Sequence, residues 1–244
     1  MLNNAWPSLI WHLYDWYLRP GGGYYGTKKA CEPLHVQYSW DDRSVAVVND
    51  LQQPFAGLKV TAEVFDIALA SRFSKTATVD VAADAVVRAF PIPKVAGLST
   101  TYFLRLKAED AQGRLQSRNF YWLSTKEDVL DWKNKKWFHT PTKRHGDVTA
   151  LARLPGTTLA VNARFDDSGP EGTATVVVEN TGKALAFMTH LRVVEGAEEI
   201  LPVFWDDNYF ELFPGEKREV KVAFPRGTGA LSVTAEAWNA ALAK

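Results

Sequence analysis

One cysteine, two methionines and equal numbers of acidic and basic side chains mark what this 244-residue sequence does without. With Cys31 alone, a disulfide framework is impossible. Twenty-eight Lys and Arg against 28 Asp and Glu leave no net field, which argues against nucleic acid or an anionic membrane as partner. Long apolar runs are missing too. The one near the start, Leu9 to Leu18, is broken by His12 and Asp15 and is too short to span a bilayer. No basic stretch with a cleavage site precedes it, so no export signal is expected in the chain, whose compartment stays open. There is also no glycine-rich phosphate loop and no Ser-His-Asp order.

Tryptophan is plentiful instead, with nine copies in a chain that is 46% apolar and 23% charged. Two readings compete. Large sandwich cores use Trp, and the flat face of a pyranose stacks on an exposed indole.

From about Val36 the pattern has the period of two that marks strands. Leu58, Val60, Ala62 and Val64 alternate with Lys59, Thr61 and Glu63. "TYFLRLKAEDAQGRLQSRNFYWLS" reads as a hairpin turning at Ala111-Gln112-Gly113. Residues 126–146 are polar, lysine-rich and unpatterned, a connector with at most one helical turn. Strand signal then resumes with "TALARLP" and "TTLAVNARFDDSG", and with a tight turn at Asn180-Thr181-Gly182. Pro214-Gly215 marks a further turn into a strand. The fold class expected is mostly β: one immunoglobulin-like sandwich over 36–125 and a second over 147–244.

Residues 1–35 fit neither sandwich. "LIWHLYDWYL" is apolar on too many sides for a surface helix, and "GTKKACEPLH" allows a short helix stopped near Pro33. Alone they cannot bury a core, so weak protection from exchange and self-association through an exposed Trp-rich patch are expected of them.

Leu2, Asn3, Asn4, Trp6, Pro7, Trp11 and Asp15, followed by Gly21–Gly23 and Lys28-Lys29, resemble the end of the catalytic barrel in family 2 glycoside hydrolases. The exo-β-D-glucosaminidase branch is nearest and the β-mannosidases come next. "PVFWDDNYFELFPGEKREV" resembles the terminal immunoglobulin-like domain of the same enzymes.

The resemblance implies that 1–35 is the last strand, loop and helix of a (β/α)8 barrel whose catalytic carboxylates lie outside this chain. Glu32, the one glutamate in that stretch, is expected on the last helix, away from the strand ends where barrel chemistry sits. The chain alone is therefore expected to be inactive, with no catalytic residue, cofactor or metal of its own. Its implied partners are the missing barrel and, through it, an oligosaccharide substrate. Trp6 is a candidate for sugar stacking, Asn4 for a hydrogen bond to a hydroxyl or to the nucleophile. Asp15 is a candidate for an ion pair or for approach to a substrate amine. A β-mannosidase or endo-β-mannosidase parent, and a free-standing carbohydrate-binding or structural sandwich pair, are the alternatives.

In the second sandwich, Trp205-Asp206-Asp207-Asn208-Tyr209 reads either as a sugar or calcium site or as a strand-to-turn junction with Trp205 in the core. His145 and His190 lack partners at metal spacing and read as structural.

Overall fold

The computed structural model describes residues 13–166, 168–226 and 229–243. It divides into two compact units, one over Cys31–Leu154 and the other joining the N-terminal segment through Ala30 to the chain from Pro155 onward.

In the first unit β1 (Leu34–Tyr38), β2 (Ser44–Asn49), β3 (Phe55–Asp66), β4 (Ser71–Val81), β5 (Ala85–Pro91), β6 (Thr101–Glu109) and β7 (Leu115–Ser124) make two open antiparallel sheets. Their orders are β1-β2-β5 and β4-β3-β6-β7. The alternation in β3 is realised: Leu58, Val60, Ala62 and Val64 are all buried between the sheets. On the opposite face Glu63 pairs with Arg105 at 2.8 Å. Each fully buried Leu or Val contributes roughly 1.5–3 kcal/mol, and this row ties the longest strand to its partners. The β6–β7 hairpin turns where expected, with Gly113 at φ +77.

The connector read from the sequence carries structure. Short strands β8 (Val129–Leu130) and β9 (Thr142–Arg144) pair, and 3-10 turns cover Trp132–Asn134 and Thr149–Arg153. "TALARLP", read as a strand, forms the second of these turns, because only Leu151 of its apolar residues finds a core.

In the second unit β10 (Leu159–Asp166), β11 (Gly172–Asn180), β12 (Ala186–Glu195), β13 (Glu198–Glu199), β14 (Phe204–Trp205), β15 (Phe210–Leu212), β16 (Lys217–Phe224), β17 (Leu231–Ala237) and β18 (Ala240–Ala243) form the other sandwich. One sheet runs β10-β11-β16-β14, the other β13-β12-β17-β18 with β15 paired to β12. Asn180, fully buried at the end of β11, holds the sharp turn there. Its amide donates to the carbonyls of Ala184 and Leu212, and its oxygen accepts from Gly182 N and Thr157 Oγ1.

Helix α1 (Gly22–Ala30) belongs to this second unit, with Tyr25 in the sandwich core. The helix takes in Gly22 and Gly23, which the sequence reading placed in a loop. A side chain at Gly22 would crowd Met188 and Tyr209, and a Cβ there would lie 3.2 Å from Met188 Cε. The helix ends at Ala30, so Glu32 lies in the following turn rather than on it, with Ser117 Oγ donating to its carboxylate at 3.4 Å.

Candidate functional site

The described part of the N-terminal segment is built as an anchor. Asp15 closes a tight turn: Oδ1 accepts from Tyr17 N at 2.9 Å and Arg19 N at 3.0 Å, while Oδ2 pairs with Arg19 Nη1 at 3.3 Å. Leu18 takes φ +65 to complete it, an uncommon left-handed conformation for a residue with a branched side chain. Arg19 then reaches Glu199 of β13, with Nε 2.8 Å and Nη2 2.7 Å from Oε2.

In the last turn of α1 the ammonium of Lys28 donates to two successive carbonyls, those of Trp205 at 2.9 Å and Asp206 at 2.8 Å. Between these polar pins runs a row of rings. Tyr14 to Tyr24 is 5.1 Å, Tyr24 to Tyr25 is 4.9 Å and Tyr25 to Tyr209 is 5.8 Å. His190 stacks on Tyr209 at 4.4 Å. Burial, with the neighbouring Tyr24, pushes the Tyr14 hydroxyl up to about 12. Burial likewise raises Tyr25, opposed by the Asn208 side chain near its hydroxyl, although no hydrogen bond of regular geometry reaches that enclosed oxygen.

The Trp205–Tyr209 constellation is a junction. Trp205 is 3% exposed and lies in the core. Asp206 Oδ1 accepts from Lys221 N at 2.8 Å, and Asp207 Oδ2 pairs with Arg218 at 3.0 Å. Asn208 both accepts from Leu191 N and donates to Leu191 O. These oxygens are committed to the fold, and among the described residues no group of three or more His, Cys, Asp or Glu could hold a metal. Beside the junction lies an open depression of about 470 Å³ floored by β11, β14 and β16, with Phe204, Lys28, Thr175 and Lys221 on its walls. His190 sits 3.3 Å from Glu236, and His145 is exposed 3.8 Å from Asp128.

Of the sequence candidates, Asn4 and Trp6 lie outside the described residues, and Asp15 is occupied by its turn and by Arg19. Sequence reasoning missed Arg19, Tyr25 and Glu199 as anchors. Each acts through a partner far along the chain, and nothing local marks it.

The tryptophans answer the question their number raised. Trp205 is buried, but Trp16, Trp40, Trp122, Trp132, Trp137 and Trp238 are 41–93% exposed. Most described tryptophans therefore lie at the surface, not in the cores.

Comparison with known proteins agrees with both sandwiches. Residues 41–126 match the family described as "Mannosidase Ig/CBM-like domain", and residues 137–240 match "Exo-beta-D-glucosaminidase Ig-fold domain". The two immunoglobulin-like units thus define an accessory region of a glycoside hydrolase.

A curated exo-β-D-glucosaminidase of Streptomyces avermitilis is 40% identical over 99% of this chain and 28% of its own length. The crystal structure of the Amycolatopsis orientalis exo-chitosanase superposes with a TM-score of 0.93 at 37% identity, covering 99% of this chain and 30% of that one. A mannosylglycoprotein endo-β-mannosidase of Lilium longiflorum is more distant, 24% identical over 97% of this chain and 30% of that enzyme. Over nearly its whole length the chain is similar to exo-β-D-glucosaminidases more than to the endo-β-mannosidase, and it spans under a third of the length of the relatives it matches.

Proposed function

We propose that this chain is the C-terminal accessory region of a retaining enzyme that removes β-linked glucosamine from the non-reducing ends of chitosan oligosaccharides. The observation that carries this reading is the 40% identity, across essentially the whole chain, to an enzyme named for that activity. The identity of 24% to the endo-β-mannosidase makes that parent the second choice.

In this reading residues 1–35 are the end of the catalytic barrel, and Asn4 and Trp6 line the sugar site at a strand end. Retaining hydrolysis needs two carboxylates about 5 Å apart, one acid/base and one nucleophile. Here both belong to the part of the enzyme this chain does not span. The anchoring of α1 supports a further role for the C-terminal sandwich. Lys28, Arg19 and Tyr25 tie it to the segment that follows Asn4 and Trp6, so the sandwich holds the end of the sugar-binding strand.

The test is hydrolysis of a chromogenic β-glucosaminide by the purified 244-residue chain and by the same chain joined to the remaining part of the Streptomyces avermitilis relative. Activity is expected of the joined protein alone. Turnover by the chain itself overturns the reading, and a joined protein that cleaves a β-mannoside in preference transfers it to the mannosidases.

A further inference from the structure

The most exposed large apolar side chains described are neighbours: Trp137 at 93% and Phe138 at 84%. They are the two loop residues of a narrow turn. Lys136 N donates to His139 O at 2.8 Å and His139 N returns a bond to Lys136 O at 3.3 Å, so both rings stand at its tip. The base of the turn is braced. Asp131 N donates to Pro141 O at 2.7 Å, and the Asp131 carboxylate holds the Asn134 amide at 2.6 Å and Lys143 at 3.4 Å. Trp132, with the Lys135 ammonium over its ring at 5.9 Å, extends the apolar surface. From residue 132 to 144 the chain carries Lys133, Lys135, Lys136, Lys143 and Arg144 and no Asp or Glu.

We infer that this tip is a docking knob for the catalytic part of the same enzyme, where it enters an apolar pocket with an acidic rim. The inference rests on the proposed function for the identity of that partner. Two aromatic rings bury about 150–250 Å² each when enclosed, and presenting them to water at the tip of a braced turn serves no folding purpose. Their geometry favours a pocket over a sugar. The rings are perpendicular, at 84° with centroids 5.5 Å apart, which makes a knob rather than the flat platform a pyranose stacks on. The charge points the same way, because Asp131 offsets Lys143 alone and the remaining excess of cations repels the ammonium groups of a glucosamine polymer and attracts an acidic rim. The relatives supply the partner's room, since this chain accounts for only 28% of the length of the Streptomyces avermitilis enzyme.

Hydroxyl-radical footprinting read by mass spectrometry tests the inference. The isolated chain and the chain joined to the remainder of that relative are compared. Trp137 and Phe138 are expected to oxidise about tenfold more slowly in the joined protein, as enclosed interface aromatics do. The double substitution Lys135→Glu and Lys136→Glu should return most of that reactivity while leaving the unfolding temperature of the isolated chain unchanged. Equal oxidation in both proteins overturns the inference. Protection of the isolated chain that grows with its concentration assigns the tip to a second copy, and protection by chitosan oligosaccharides assigns it to sugar; either also overturns it. Activity of the joined protein separates the two readings. An active protein with reactive rings removes only the docking, and an inactive protein with protected rings removes only the proposed substrate.

Discussion

Arg19 and Glu199 are 180 residues apart in sequence and 2.7 Å apart in space, the guanidinium resting two of its nitrogens on one carboxylate oxygen. The glutamate is largely buried while the arginine is partly open, so solvent screening moderates the pair. Arg19→Ala is expected to destabilise the second unit by about 1 kcal/mol. Thermal unfolding checks it. The helix itself is expected to exchange its amides slowly, because Tyr25 lies in the sandwich core. Exchange from residues 24–30 as fast as from an unstructured peptide would contradict the packing.

Tyr25 separates the value of a ring from that of its hydroxyl. Tyr25→Ala opens a cavity in the core and should cost about 3–5 kcal/mol. Tyr25→Phe removes a buried oxygen with no hydrogen bond of regular geometry, only the Asn208 side chain near it, and should change stability by no more than about 1 kcal/mol. Urea denaturation of both variants decides, and a large loss for Tyr25→Phe would mean the hydroxyl has a partner in solution.

Arg218 is buried between two carboxylates, with Asp207 at 3.0 Å and Glu211 at 3.1 Å, and lies over the Phe210 ring at 4.1 Å. Arg218→Ala leaves both carboxylates without their cation, and a cost of about 3–5 kcal/mol is expected. Replacing Asp207 and Glu211 by Asn and Gln in the same background should recover part of it. Failure to recover any would place the arginine's importance in packing instead.

His190 makes stability depend on pH. Burial holds its imidazole below the ordinary 6.5, Arg192 adds to that, and Glu236 at 3.3 Å and Glu199 oppose it. The folded state therefore disfavours the charged ring. Its contribution is complete above about pH 6.5 and is lost as pH falls through the depressed value. Between about pH 7.5 and pH 5.5 the chain should lose more stability than His190→Gln, in which that titration is absent. Parallel declines in the two proteins would show that other groups carry the effect.

The strands were legible because their causes are local. The period of two in Leu58–Val64 set the inward face of β3, and Gly113 and Gly215 marked the sharp turns at which both take positive φ. The Trp205–Tyr209 junction was half legible: the residue types allowed a ligand site but favoured a strand-to-turn junction. Only the positions of Arg218, Lys221 and Leu191 decided that its polar atoms serve the fold.

From the sequence alone came two β-sandwiches, their main turns and a family resemblance, since hydrophobic alternation and turn chemistry act between near neighbours along the chain. Tertiary structure decided that α1 packs on the second sandwich, that most described tryptophans face solvent and that Trp137 and Phe138 form a tip. Those outcomes depend on which distant surface each side chain meets, as Arg19 meets Glu199, and no periodicity encodes such a meeting.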